Sequence, residues 1–371
     1  INIIVFMKIL FSGNTAWSMY NFRRLVFEHF LKQGHEVVVV SPFDETYQQQ
    51  LKALGCKVLP IDIEAKGNSP LKDLCTCYHY RQIMIKEKPD YCFFYTIKPN
   101  IYGSMAAASL GISYTPVTTG LGYTFLVDNL ISKIAKRLYK FAFRNSPSVW
   151  FLNKDDAESF VSGRIIQPAQ VHILPGEGID LSHFAVVEEP EEISFLLVAR
   201  MLWDKGVGGY VDAARLLKQK YSDVRFKLLG FLGVDNPQAI AKEQMDEWVK
   251  EGVVDYLGVT TDVRPFIQDS TCVVLPSFYR EGIPFTLMEG AASGRPLVAT
   301  NGVGCKEVID DGVNGFLCKL KDAEDLAHCM ELIIRMTPEQ RMEMGKKGRE
   351  KMQKEFSMDI VLKHYEEVIG S

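Results

Sequence analysis

The stretch Glu281-Gly-Ile-Pro-Phe-Thr-Leu-Met-Glu289 sets two glutamates at the mouth of an expected helix. An apolar run, Thr271-Cys-Val-Val-Leu-Pro276, precedes it, and the helical pattern continues through Ala292. Pro284 suits the first helical position, where its missing N–H costs nothing. Glu281 then falls in the loop before the helix. Glu289 falls within it, its side chain leaning back toward the helix N-terminus. Two carboxylates and a set of backbone N–H groups therefore face one small volume. Carboxylates accept hydrogen bonds from sugar hydroxyls, and N–H groups at a helix start take anions. The ligand class this suits is a polyhydroxylated molecule carrying phosphate.

Upstream, Arg200 and Lys205 follow an expected strand directly, in Val-Ala-Arg-Met-Leu-Trp-Asp-Lys-Gly. Breaking a sugar–phosphate bond leaves negative charge on the departing diphosphate, which a fixed guanidinium and ammonium stabilise most in the transition state. Taken alone, an arginine and a lysine in a loop are ordinary surface charges. Together with the glutamate pair they resemble the signature of the retaining nucleotide-sugar glycosyltransferases of family four, which have the GT-B fold. The resemblance spans nearly the whole chain and is most specific from Phe195 to Gly315. It implies that Arg200 and Lys205 hold the donor diphosphate and that Glu289 takes both ribose hydroxyls. Glu281 would touch a hydroxyl of the transferred sugar. The N–H groups of Ile283, Phe285 and Thr286 would reach sugar and phosphate oxygens. By the same analogy the backbone of Gly258–Asp262, with Thr260 at its centre, reads the base edge, typically uracil.

The front half carries the family pattern less fully. Ser12-Gly13-Asn14 follows the first strand, where a glycine lets backbone approach a phosphate; the family usually has two adjacent glycines there. Thr119-Gly-Leu-Gly-Tyr-Thr-Phe125 lacks the histidine many relatives place beside the reacting sugar. Its Gly-Leu-Gly-Tyr form resembles a branch that extends lipid-linked saccharides in bacterial surface-polysaccharide and glycoprotein pathways. Asn14, Thr119 and Tyr123 are the acceptor-side candidates.

These residues need a frame to hold them. Buried-strand patterns at Ile3–Phe11, Glu36–Ser41, Lys57–Ile61, Tyr91–Thr96, Tyr114–Thr118 and Val149–Leu152 alternate with helical ones such as Met19–Gln33 and Leu71–Lys86. Their continuous Val, Ile and Phe character argues for a parallel sheet covered on both faces. A second series starts at Ser194 and runs through Arg225–Leu229, Val254–Leu257, Cys272–Pro276, Pro296–Ala299 and Gly315–Cys318. The expected architecture is α/β, two tandem doubly wound Rossmann-like domains facing a central cleft. Residues 1–180 would bind the acceptor, 181–192 link, and 193–355 bind the donor. Residues 356–371 would form a C-terminal helix that crosses back to the first domain, as in the GT-B family. Pattern alone would equally serve a periplasmic-type binding protein or a sugar epimerase.

At 371 residues, 47% apolar and 24% charged, the composition is that of an ordinary globular chain. No apolar run approaches the ~18 residues a membrane span needs. The opening residues, Ile1–Phe11, read as a first strand rather than a signal peptide, and Met7 offers a start within them. Without a secretory signal, the eight cysteines read as reduced thiols in a cytoplasm. Neither they nor Asp155-Asp156 has metal-ligand spacing, so no metal and no cofactor are expected. Net charge is −4, yet residues 1–180 hold 19 Lys+Arg against 15 Asp+Glu, or +4, leaving −8 for the rest. A basic front half hints at an anionic partner.

Residues 129–145 sharpen that hint. On a helical wheel Leu130, Ile131, Ile134, Ala135, Leu138, Phe141 and Ala142 fill one side, and Lys133, Lys136, Arg137, Lys140 and Arg144 the other. Such a helix either buries its apolar side in the domain core or lies on an anionic bilayer. The second option would place the protein on the inner face of the cell membrane.

The expected activity is retaining transfer of a hexose or N-acetylhexosamine from a nucleotide diphosphate, UDP favoured, to a saccharide acceptor carried on a lipid diphosphate. A nucleotide-sugar 2-epimerase of the same fold and a non-catalytic sugar- or nucleotide-binding module are the alternatives. No nucleic-acid partner is expected. A dinucleotide oxidoreductase is disfavoured, because no Gly-x-Gly-x-x-Gly follows the first strand of either domain.

Overall fold

The computed structural model describes residues 6–63, 69–121 and 130–370. They divide into two compact units, one of residues 1–177 with 361–371 and one of residues 178–360. Residues 181–192, which the sequence suggests as a linker, lie within the second unit.

The first unit's described residues form a seven-stranded parallel sheet in the order β3-β2-β1-β4-β5-β6-β7. The strands are β1 (Lys8–Ser12), β2 (Glu36–Ser41), β3 (Lys57–Pro60), β4 (Tyr91–Tyr95), β5 (Ser113–Thr118), β6 (Val149–Phe151) and β7 (Val171–Ile173). Helices α1 (Ala16–Lys32), α2 (Glu45–Ala53), α3 (Pro70–Glu87), α4 (Ser104–Leu110), α5 (Leu130–Phe143) and α6 (Lys154–Ser162) connect them. Burial on both faces explains the unbroken apolar runs: every residue of β4 is buried, as are the last four of β1. Helix starts are fixed locally, Thr15 accepting from Ser18 N ahead of α1 and Asn153 from Asp156 N ahead of α6. Two strand expectations shift. The first strand begins at Lys8 rather than Ile3, residues 1–5 lying outside the description, and β7 was unforeseen because three half-buried residues carry almost no periodic signal.

The second unit repeats the plan with β8 (Ser194–Val198), β9 (Arg225–Leu229), β10 (Asp255–Tyr256), β11 (Cys272–Leu275), β12 (Leu297–Thr300) and β13 (Gly315–Cys318). Among its described residues they form a six-stranded parallel sheet in the order β10-β9-β8-β11-β12-β13. Its helices are α7 (Val207–Lys218), α8 (Lys242–Lys250), α9 (Arg264–Gln268), α10 (Phe285–Ala292), α11 (Ala323–Arg335) and α12 (Pro338–Lys351), followed by α13 (Met358–Ile369). Each sheet reverses its winding once, between β1 and β4 and between β8 and β11. Open α/β sheets bind ligands beyond the strand ends at such reversals. No described helix is long and apolar enough to cross a membrane.

From Val361 onward α13 belongs to the first unit. Tyr365 is 1% exposed and completes that unit's aromatic core. Its ring lies 4.9 Å from those of both Phe93 and Trp150, and its hydroxyl shares a 2.7 Å hydrogen bond with Tyr95. Truncating so large a buried ring leaves a cavity. Tyr365→Ala should therefore destabilise the first unit by about 3–5 kcal/mol. Tyr365→Phe, which keeps the ring, should cost about 1 kcal/mol. Urea unfolding followed by tryptophan fluorescence measures both; equal losses would show that the hydroxyl, not the ring, matters.

Candidate active site

The reversal between β8 and β11 gathers most of the sequence candidates of the second unit. Beyond β8 the chain makes one tight turn at Trp203–Lys205 and enters α7 through Gly206. Gly206 has φ +78°, and a Cβ there would sit 2.0 Å from the carbonyl oxygen of Pro276. Only glycine lets this turn lie flat on the end of β11. The contact is sealed by Asp204, whose backbone oxygen accepts from both Phe278 N and Tyr279 N at 3.0 Å.

That docking delivers Lys205 to Glu281. The ammonium donates to Glu281 Oε1, and the two side chains are only 15% and 11% exposed. Ser277, itself buried, donates to the same oxygen at 2.8 Å, and Tyr279 N donates to the Ser277 hydroxyl at 3.2 Å. Lys205 Nζ also lies 5.1 Å from the centre of the Tyr279 ring. Behind the carboxylate sits Gly304, with φ +86°; a Cβ there would lie 2.5 Å from Gly282 O and 2.7 Å from Glu281 Cβ. The glycine-rich loop at 302–304 thus serves as a backstop for Glu281.

Arg200 stands beside this pair. It is exposed, and its side chain makes no hydrogen bond or ion pair among the described residues. Its charge still acts on Asp204 and Tyr279. Burial raises the Asp204 carboxyl above its usual range, with Lys205 opposing and Glu281 adding to the rise. Asp204 Oδ1 and Thr286 Oγ1 are buried polar atoms without a hydrogen-bond partner among the described residues. Orphans of that kind are uncommon in a finished core.

Glu289 lies one helical stretch away, inside α10, half-buried, and its side chain makes no hydrogen bond among the described residues. Burial first, then the nearby Asp262 carboxylate, pushes its pKa up to about 8. Arg264 holds Asp262 itself below the usual range. Ile283, Phe285 and Thr286 line the entry to α10, where Pro284 caps the helix one position earlier than its sequence suggests. Thr260 is used within its own turn, its hydroxyl donating to Asp262 O and accepting from Asp262 N. The electrostatics thus separate into a charged centre at Arg200, Asp204, Lys205 and Glu281 and a second, acidic end at Glu289 and Asp262.

Residues beyond the sequence candidates take part. Ser277 and Tyr279 sit between Pro276 and Glu281, and Asp204 precedes Lys205. Their proximity in sequence to the named residues was the available signal; their orientation was not. Among the described residues, no group of three or more His, Cys, Asp or Glu side chains is placed to hold a metal ion.

In the first unit the candidates lie beyond their own sheet's strand ends. Gly13 is buried and Asn14 half-buried after β1, and Thr119 is half-buried after β5. A Cβ at Gly13 would meet Met19 Sδ at 2.5 Å. Thr96, just after β4 at the reversal, was not anticipated; its φ of +67° is rare for a β-branched residue. Tyr123 lies outside the described residues.

The basic helix departs from the simple two-sided wheel. The core-facing residues of α5 are Ser132, Tyr139, Ala142 and Phe143. Leu130, Ile131, Ile134 and Phe141 are exposed, as are Lys133, Arg137, Lys140 and Arg144, while Lys136 is half-buried. Of the wheel's apolar side only Ala142 is fully buried and Leu138 packs half-buried against the core, so the helix has three faces rather than two.

Comparison with known proteins accords with this geometry. Residues 8–153 match the family model described as glycosyl transferase 4-like, and residues 192–335 match that described as glycosyl transferases group 1. The chain is 30% identical to the Campylobacter jejuni N,N'-diacetylbacillosaminyl-diphospho-undecaprenol alpha-1,3-N-acetylgalactosaminyltransferase over 88% of its own length and 89% of the relative's. A glycosyltransferase structure from Rickettsia africae superposes with a TM-score of 0.81 at 17% identity, covering 98% of this chain and 99% of that one. Anabaena HepE in complex with UDP and glucose gives 0.79 at 17% identity, covering 98% and 100%. Two parallel-sheet units with these neighbours are the GT-B fold, and the chain belongs to the group 1 and 4-like family of glycosyltransferases.

Proposed function

We propose that the protein moves a hexose or N-acetylhexosamine from a UDP-linked donor, with retention, to a hydroxyl of a saccharide carried on a lipid diphosphate. The observation that carries the reading is the charged centre at the reversal of the second sheet, Lys205 clamped to Glu281 with the Arg200 side chain exposed beside it. The name of the Campylobacter relative supports the lipid-linked acceptor, and the UDP complex of HepE supports the donor base.

In this reading the donor diphosphate meets Arg200 and Lys205, and its ribose meets Glu289. The bond from the sugar's anomeric carbon to the diphosphate breaks, and a bond from that carbon to the acceptor oxygen forms. The acceptor's proton ends on the departing diphosphate, so no side chain need act as base. Lys205 and Arg200 stabilise the charge that grows on the leaving group. Glu281, held by Ser277, orients Lys205 and offers an acceptor for a sugar hydroxyl. Asn14 and Thr119 are assigned to the acceptor. An acceptor anchored in lipid would require work at a membrane surface, and the basic residues of α5 suit anionic headgroups.

Arg200→Ala and Lys205→Ala should each lower kcat more than tenfold, about 1.4 kcal/mol or more of lost transition-state stabilisation. Turnover is read as UDP released from a panel of UDP-sugars with a lipid-diphosphate saccharide in detergent, and the anomeric configuration of the product by NMR. Near-normal kcat in both variants would sink the mechanism, and an inverted product would exclude retention. A donor epimerised without acceptor would point to the epimerase instead.

The raised pKa of Glu289 gives a second test. Two ribose hydroxyls donate to the ionised carboxylate, so binding below pH 8 must first expel a proton. UDP affinity should then rise about tenfold from pH 7 to pH 9, levelling off above pH 8. Glu289→Gln should flatten the profile in isothermal calorimetry. A profile unchanged by the substitution would remove Glu289 from the ribose.

A further inference from the structure

A cavity of about 280 Å³ opens at the carboxyl ends of β11, β12 and β13, beside the starts of α7 and α11. It lies wholly within the second unit, and neither Lys205 nor Glu281 lines it. Ligand sites begin at about 300 Å³, so this one suits a single compact residue rather than a nucleotide. The rings of Trp203 and Phe278 form part of its wall. Trp203 is 40% exposed, and its ring meets that of Trp248 edge to face at 5.7 Å. Gly208 makes that placement possible, since a Cβ there would lie 2.6 Å from Trp203 Cζ3. A Cβ at Gly209, which also lines the cavity, would meet nothing within 4 Å. The first turn of α7 thus leaves its share of the space open.

The polar groups around the cavity differ in what they already hold. Asp212 is paired with Arg215 at 2.7 Å, and Lys319 with Asp325 at 3.7 Å. Asp322 gives one carboxylate oxygen to Asp325 N at the start of α11, at 2.9 Å. Lys321 makes no hydrogen bond or ion pair among the described residues, its ammonium resting 4.5 Å from the centre of the Phe278 ring. What remains is one ammonium and one carboxylate, whose charges cancel. The cavity therefore offers donors, an acceptor and aromatic faces, without selecting for net charge. A phosphate would be repelled by Asp322, and a hydrocarbon would strip water from Lys321 without replacing it. A pyranose meets every requirement. Its hydroxyls both donate and accept, and its C–H face complements the negative face of an aromatic ring.

We propose that this cavity is a second saccharide site, apart from the reaction centre, binding one neutral pyranose against Trp203 and Phe278 with its hydroxyls on Lys321 and Asp322. The site goes beyond the proposed transfer, yet its walls adjoin the machinery of that reaction. Trp203 precedes Asp204 and Lys205 directly, and Phe278 N donates to Asp204 O at 3.0 Å.

The test adds the methyl glycosides of glucose, galactose, N-acetylglucosamine and N-acetylgalactosamine to the full chain, followed by saturation-transfer NMR and tryptophan emission. At least one should bind and shift the emission, because Trp203 lies in the site. Trp203→Phe keeps an aromatic wall, so binding should persist in NMR while the emission change is lost. Lys321→Ala should weaken binding at least about tenfold, through loss of a hydrogen bond to a charged group. Gly209→Leu fills the space and should abolish binding. It should melt no lower than the parent by circular dichroism, since leucine favours a helix more than glycine does. Glu281→Gln, which alters the reaction centre, should bind the glycoside as the parent does. Failure of every glycoside to bind would overturn the proposal, as would binding that survives Gly209→Leu. So would binding lost in Glu281→Gln and kept in Gly209→Leu, which would put the sugar in the reaction centre. These measurements need no turnover, so they stand or fall separately from the proposed transfer. Where transfer is observed, the acceptor KM tells the source of the sugar. A rise of about threefold or more in Gly209→Leu at unchanged kcat makes it a residue of the acceptor's glycan, and an unchanged KM makes it a free sugar.

Discussion

The Lys205–Glu281 ion pair is the constraint around which the second unit is arranged. Two opposite charges, largely removed from water, hold a geometry only when the surrounding groups leave them no alternative. Here the alternatives are closed by backbone. Gly206 seats the turn of Lys205 on Pro276, and Gly304 blocks retreat of the Glu281 side chain. Ser277 then occupies the same carboxylate oxygen as the lysine. In the proposed function, a diphosphate arriving at this site meets an ammonium that is already positioned and partly desolvated. Its cost of ordering has been met during folding, which is how preorganised charge gains its catalytic effect.

Why these residues converge follows from the sheet. Arg200 and Lys205 follow β8, and Glu281 follows β11, two strands that are far apart in sequence but adjacent in the sheet. The reversal of winding between them leaves the space above their ends uncovered by a crossover helix. The first unit uses the same device between β1 and β4, where Gly13 and Asn14 follow the first strand and the strained Thr96 follows the second. Strain at a strand end is tolerated where the surroundings over-determine it, and such positions concentrate near function.

The frame was largely legible in the sequence, because parallel strands buried on both faces read as unbroken apolar runs and their order follows from right-handed crossovers. Lys205 and Glu281 were legible as candidates through spacing and resemblance. Their direct pairing was not, since it depends on how two distant loops pack. The Ser277 bond and the orphaned Thr286 hydroxyl depend on the same packing. Helix α5 teaches the complementary lesson. Its wheel sorted apolar from basic residues, but an apolar side need not be the inner side. Tyr139 and Phe143, with the small Ser132, anchor the helix instead, and Leu130, Ile131 and Ile134 are left outside. Hydrophobicity predicts burial only when there is something to be buried against.

The packing of Tyr365 sets an order of events during synthesis. The first unit's strands leave the ribosome early, yet the ring that fills the space beside Phe93 and Trp150 emerges only after the whole of the second unit. Until it emerges, the first unit carries an open aromatic socket, while the second unit has all of its own residues in hand. The unit translated first is therefore the one finished last. A stalled or truncated nascent chain would display that unfilled socket to chaperones and proteases, whatever the state of the domain made after it.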